Sequence, residues 1–158
     1  MPVVNWNNRA YFEYRHIVCF EETNVVGNVY YGNHVLWQGR CREMFLREFC
    51  SDIPERVAAG LSLVTLKVVC DYAEEAFAFQ EIVLRMRVGW IRQNRMQLLF
   101  DYLRYSPEGD EQRIARGEQQ IAALMARNGT HEPEPFPVSI MQAIQEHGLE
   151  HALGSSAG

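Results

Sequence analysis

Glu21-Glu22-Thr23-Asn24-Val25-Val26-Gly27-Asn28-Val29-Tyr30-Tyr31-Gly32-Asn33-His34 leads into Trp37-Gln38-Gly39-Arg40-Cys41-Arg42-Glu43. A polar, glycine-punctuated loop thus opens onto a helix that is apolar on one side and carries arginines on the other. A helix start exposes unpaired backbone N–H groups and a partial positive charge, a place suited to a developing oxyanion. The donor-rich side chains of Asn24, Asn28, Asn33 and Arg42 stand close by, and no other segment clusters polar chemistry so densely.

Downstream of the loop, Trp37, Cys41, Phe45 and Phe49 recur at i, i+4 spacing with Met44 beside them. That stripe predicts a core-facing helix over about His34 to Cys50, with Asn33 as its cap. Gly39 within it costs about 1 kcal/mol against alanine, which predicts a tightly packed neighbour there. Upstream, Tyr11 to Phe20 alternates Phe12, Tyr14, His16, Val18 and Phe20 on one face, as a strand does. A polar link with Pro54 and Gly60 precedes three further strands. Ser62–Tyr72 places Val64, Leu66, Val68, Cys70 and Tyr72 opposite Thr65, Lys67 and Asp71. Glu81–Trp90 places Ile82, Leu84, Met86, Val88 and Trp90 opposite Arg85, Arg87 and Gly89. Met96–Tyr105 follows the same rule, and Ser106 to Asp110 is a turn by composition. Glu111–Ala126 is helical by propensity, yet it follows a hairpin-like turn and completes an antiparallel sheet, so it reads as a strand. Val138–His147 reads as a short helix, and Gly154 to Gly158 as a frayed tail. The pattern gives an α+β fold: a five-stranded antiparallel sheet around one long helix.

Composition narrows the function classes. The 158 residues, 47% of them hydrophobic and 22% charged, fit one soluble domain over 1–158, with a core over about 11–126 and an extension over 127–158. No run approaches the length of a membrane span, and the N-terminus lacks a signal-peptide layout, so the expected location is cytoplasmic, away from membranes. A net charge of −5 argues against nucleic acid as a partner. Arginine pairs at Arg85/Arg87 and Arg92/Arg95 offer local charge for an acidic partner. Cys19, Cys41, Cys50 and Cys70 are irregularly spaced and read as reduced core residues. His147 and His151 have metal-ligand spacing without an evident third ligand, so no metal and no cofactor is expected.

Asn24-Val25-Val26-Gly27-Asn28-Val29-Tyr30-Tyr31 matches the frame D-x-x-G-x-V-x-Y with asparagine in the aspartate's place. Together with Trp37-Gln38-Gly39-Arg40-Cys41-Arg42-Glu43 and Thr65-Leu66-Lys67-Val68, it resembles the hot-dog thioesterases of the 4-hydroxybenzoyl-CoA thioesterase type. Within them it is similar to the branch that releases polyene chains from the iterative polyketide synthases of enediyne antibiotic pathways. The resemblance spans about Tyr11 to Met125. It implies hydrolysis of a conjugated β-keto thioester on an acyl carrier protein, with loss of carbon dioxide. It also implies a homo-oligomer, a dimer or a dimer-of-dimers homotetramer, with the channel between subunits. Asn24 and Arg42 of one chain are then expected to meet Thr65 of the other. By resemblance the catalytic positions are Asn24 and Arg42, and the substrate-binding ones Gly27, Tyr31, His34 and Thr65. The family carries tyrosine where this chain has His34.

Each position also has a plainer reading. Asn24 suits oxyanion donation or water positioning, or a bond to its own loop backbone. Arg42 flanks the buried stripe, where its charge would stabilise an oxyanion or carboxylate, or else pairs on the surface. Arg40 has Glu43 as its plain partner at i+3, and Glu43 has Arg47 at i+4. Glu43 is also the candidate carboxylate of a rival function, hydrolysis of small aromatic or fatty acyl-CoA. A third reading is a non-catalytic acyl-binding protein. Glu21 and Glu22 are expected to face solvent. His34 suits acid–base work near neutral pH or a bond to a backbone group.

Overall fold

The computed structural model describes residues 2–150. Strands β1 (Val3–Trp6) and β2 (Arg9–Ile17) form a hairpin, followed by the loop and helix α1 (Gly32–Phe49). After α2 (Ile53–Ala58) come β3 (Leu61–Tyr72), β4 (Glu81–Arg92), β5 (Arg95–Tyr105), β6 (Glu111–Arg127) and β7 (Thr130–Pro133), then α3 (Val138–Glu146). The antiparallel sheet has seven strands in the order β1-β2-β4-β5-β6-β3, with β7 against the end of β6. Five strands were expected. The two extra ones have four residues each and sit at the margins, too short for alternation to register. The propensity conflict over Glu111–Arg127 resolves as a strand, because β5 and β3 pair with it on either side.

The sheet curls around α1 and buries its stripe. Trp37, Cys41 and Phe45 are buried, and Phe12 packs edge-on against Phe45 and Phe49. The α3 segment closes one end of this core with Phe136, Ile140, Ile144 and Leu149, tied to the sheet by Val88 N–H donating to the Leu149 carbonyl at 2.8 Å. Space beside Gly39 is open rather than tightly packed, so the expected close neighbour is not found among the described residues. Phe20 turns outward, 69% exposed, because the chain leaves β2 for a single 3-10 turn at Phe20–Glu22. Cys41 and Cys50 are buried as expected, whereas Cys19 is exposed on the same departing segment.

Bulges decide which faces point inward. Thr65 pairs with Ile121 and Lys67 with Gln120, which leaves Leu66 as an extra residue. Leu61, Leu63 and Thr65 therefore share the inner face with Val68, Cys70 and Tyr72, and Lys67 faces out. That corrects the strict alternation expected for this strand. Gly89 plays the same part in β4: Val88 pairs with Leu98 and Trp90 with Gln97, so Trp90 turns to the outer face and stacks under Arg92. A Cβ at Gly89 would lie 2.0 Å from Gln97 Oε1, so a larger residue there would have to displace the Gln97 side chain. Arg85, expected to meet a partner, is buried instead on Glu13, Glu111 and Tyr105. No helix of the described residues is long and apolar enough to cross a membrane.

Candidate active site

The loop before α1 is a small hairpin. Thr23 bridges Val29, Asn24 N–H donates to the Asn28 carbonyl at 2.9 Å, and Gly27 N–H donates to the Asn24 carbonyl at 2.9 Å. Gly27 adopts φ +93°, the left-handed conformation that closes such a turn at no steric cost. Asn24 Oδ1 accepts from Val26 N–H at 3.0 Å, the bond to its own loop foreseen as the plainer reading. That bond fixes the amide's orientation and leaves its Nδ2 without a protein acceptor among the described residues. Val25 and Val26 are fully exposed at the tip.

Glu22 holds the loop in place. It is 6% exposed rather than solvent-facing. Its carboxylate takes Cys19 N–H at 3.0 Å, His16 Nε2 at 2.7 Å and Trp37 Nε1 at 2.7 Å. Its main-chain carbonyl takes Tyr30 N–H at 2.8 Å and Asn33 Nδ2 at 2.9 Å. Burial pushes the Glu22 pKa up, but hydrogen bonds from Cys19, His16 and Trp37 outweigh it and hold the carboxyl below the usual range. Asn33 thus serves the loop rather than capping the helix, whose flanking residue is Tyr31. Arg40 lies 4.0 Å from Glu22, not beside Glu43.

Along α1, His34, Gln38 and Arg42 follow at i, i+4 spacing and face β3 and β6. Arg42 is half-buried and donates through Nη1 to Thr65 Oγ1 at 3.3 Å and Gln119 Oε1 at 3.1 Å. The inward bulge of β3 makes that Thr65 contact. That contact lies within one chain. Burial lowers the Arg42 pKa, with nearby Glu43 opposing. Among the described residues no carboxylate lies within salt-bridge distance of Arg42 or pairs with Arg47, and Glu43 itself is exposed. Arg42 also lines a narrow apolar cavity with Leu63, Met86, Leu98, Phe136 and Ile144, with about 20 Å³ of free volume. Gln119, which sequence patterning did not single out, is buried at 3% exposure.

Gln38 Nε2 donates to the Val69 carbonyl at 3.0 Å and fills the space above Gly117, where a Cβ would come within 2.1 Å of it. His34 is 3% exposed, ringed by Trp37, Tyr72 and Tyr102. Burial lowers its pKa and the nearby Tyr31 backbone offsets part of that, yet neither ring nitrogen has a hydrogen-bond partner among the described residues. Tyr31 is exposed, and its carbonyl accepts the Tyr72 hydroxyl at 2.7 Å. Ten residues of helix, about 15 Å, separate Gly32 from Arg42. Burial also pushes the Cys41 thiol well up, so it packs rather than reacts. No group of metal-binding side chains occurs among the described residues, and His151 lies outside them.

The model of the thioesterase-like superfamily matches residues 18–144. Among solved structures, the dynemicin thioesterase is 34% identical with a TM-score of 0.83, over 90% of this chain and 99% of that one. A 1,4-dihydroxy-2-naphthoyl-CoA thioesterase from Synechocystis is 15% identical with a TM-score of 0.76, over 86% and 96% of the two chains. The 4-hydroxybenzoyl-CoA thioesterase of Pseudomonas sp. strain CBS-3 is 15% identical with a TM-score of 0.69, over 84% and 98%. Among curated proteins none matches. The chain thus carries a long helix wrapped by an antiparallel sheet, a loop asparagine whose amide keeps a free donor and, farther along, an arginine without a carboxylate partner beside an apolar cavity. With the family match over most of its length, this protein belongs to the thioesterase-like superfamily, a hot-dog thioester hydrolase.

Proposed function

We propose that this protein hydrolyses a conjugated β-keto thioester carried on an acyl carrier protein, in a polyketide pathway of the enediyne kind. One observation carries the reading: Arg42, without a carboxylate partner, sits at the rim of an apolar cavity, held by Thr65 and Gln119. A fixed cation there favours the oxyanion of thioester cleavage and the carboxylate that follows, in a setting where charge is weakly screened. The 34%-identical relative is described by induced fit and allosteric effects upon polyene binding. This cavity, nearly closed at about 20 Å³, likewise needs opening before a long acyl chain enters.

The chemistry asks little of the protein. Water adds to the thioester carbon, Asn24 Nδ2 and Arg42 stabilise the oxygen, and the carrier thiol leaves with a proton. The β-keto acid then loses carbon dioxide by an internal cyclic proton transfer, which needs no protein base. The site is shared between two copies. β3 is an edge strand with Leu66, Val68 and Tyr72 substantially exposed. Antiparallel pairing of β3 with its copy sets the Tyr72 end of one against the Leu61 end of the other. The loop sits at the Tyr72 end, through Tyr31, so this brings Asn24 of the partner subunit toward Arg42. Co-incubation with a loaded iterative polyketide synthase and mass analysis of the product tests the reading. Release of a decarboxylated polyene ketone is expected; cleavage of acyl-CoA without release from the carrier overturns the substrate assignment.

A further inference from the structure

The outer face of the sheet carries two neighbouring rows of cross-strand partners, and they differ in charge balance. The first runs Glu13, Arg85, Asp101, Arg116 and Asp71 across β2, β4, β5, β6 and β3, in register and alternating in sign. Opposite charges placed side by side in this way stabilise a sheet. Arg85 meets Glu13 at 3.1 Å, and Asp101 takes Arg113 at 2.9 Å and Arg116 at 3.7 Å. The second row runs Arg87, Leu99, Glu118 and Val69. Its one acid, Glu118, accepts from Gln97 and Gln120. Half-buried Arg87 has no carboxylate within salt-bridge distance among the described residues, and its Nη1 is buried without a hydrogen-bond partner. Such a nitrogen, taken from water and left unpaired, costs the fold more than a neutral group would.

Arg87 lines a cleft of about 580 Å³ on this face. Trp6 forms one side, edge-on to Tyr11 at 5.3 Å and with the Arg85 guanidinium 4.9 Å from its ring centre. Tyr11, Leu99 and Val69 add apolar surface around Arg87. One unpaired cation calls for one negative charge, and Asp71 and Glu118 in the lining repel a second. A planar guanidinium takes a carboxylate through two parallel hydrogen bonds. Aromatic and aliphatic walls favour a flat apolar body. We propose that this cleft is a second binding site, for a flat unsaturated monocarboxylate, with Arg87 on the carboxylate and Trp6, Tyr11, Leu99 and Val69 along the body. The sheet separates it from the candidate active site, because Met86 and Val88 on either side of Arg87 line the apolar cavity beside Arg42. The site goes beyond the thioesterase reading and does not depend on it.

The test uses the full chain labelled with 15N-tryptophan and titrated with sorbate, a conjugated monocarboxylate, and with sorbamide, its neutral counterpart. Sorbate is expected to shift the Trp6 indole signal saturably and to bind about tenfold tighter than sorbamide, the worth of one charge-assisted pair. Arg87→Met keeps the stem and discards the unpaired nitrogens, so it is expected to weaken sorbate about tenfold while raising the melting temperature. Leu99→Glu puts an acid on the register partner of Arg87 and is expected to abolish sorbate binding in a folded chain. Arg42→Ala is expected to leave the Trp6 response intact. A Trp6 signal unmoved up to the solubility limit of sorbate overturns the proposal, as does equal binding of sorbamide. A response lost in Arg42→Ala also overturns it, since sorbate would then be reporting from the catalytic side. So does an Arg87→Met variant that binds sorbate like the wild type, or one that falls into smaller assemblies, which gives this face to a second copy of the chain.

Discussion

Glu22 and His34 are both buried titratable groups at the start of α1, and they are built in opposite ways. Glu22 receives Cys19, His16 and Trp37 on its carboxylate and two more donors on its carbonyl. His34 finds no hydrogen-bond partner for either nitrogen among the described residues. The first arrangement is what a fold needs: a buried charge offset by hydrogen bonds, which fixes strand, loop and helix relative to one another. The second is costly to the fold and makes sense when something else completes it. Burial alone does not distinguish these two groups; the hydrogen bonds each receives do.

Several substitutions would break or sharpen that contrast. Arg42→Ala leaves the fold but removes the uncompensated cation, and kcat/KM on a carrier-bound polyene is expected to fall about 10³-fold. A loss under tenfold would remove Arg42 from the chemistry. Glu22→Ala strands the buried Trp37 indole and two half-buried donors, from Cys19 and His16, and is expected to cost about 3 kcal/mol in denaturant unfolding. A cost below about 0.5 kcal/mol, the level of ordinary surface changes, would erase the distinction from His34. Asn24→Ala is expected to reduce kcat about 100-fold with little change in melting temperature, since the loop keeps its Gly27 and Asn28 backbone bonds.

The smallest effect is in the pH dependence of stability. His34 has a lowered pKa, so the unfolded chain takes up its proton first and stability falls as pH drops below about 6.5. Glu22 acts in a lower window, its contribution complete above about pH 4.3 and lost as pH falls through its depressed native value. Chemical denaturation from pH 8 to 3 should show both limbs in the wild type. His34→Phe should lose the first and Glu22→Gln the second.

Most of the architecture was legible in the sequence, because long alternating segments and the i, i+4 stripe of Trp37, Cys41 and Phe45 signal burial directly. Sequence alone missed what depends on long-range pairing. Glu22 looked like one of two solvent-facing acids, since nothing local says that His16 and the Trp37 indole converge on it. An acid flanked in the fold by a strand histidine and a helix tryptophan is a pattern visible only once the elements are placed. Thr65 was named as a site residue yet assigned to the outer face, because a bulge cannot be seen in composition. The loop and helix motifs pointed to Asn24 and Arg42, but that Thr65 and Gln119 together hold the Arg42 guanidinium became clear only in three dimensions.

The bulge at Leu66 also bears on how the chain tolerates changes in length. Leu66 is the residue of β3 with no partner opposite it, between Thr65 paired to Ile121 and Lys67 paired to Gln120. Deleting a residue elsewhere in that strand would turn half of it inside out. Deleting Leu66 would leave Thr65 inward, Lys67 outward and Val68 inward. One position in the strand is therefore free to come and go in related sequences, and an alignment that opens a single-residue gap there would keep every inward residue in place.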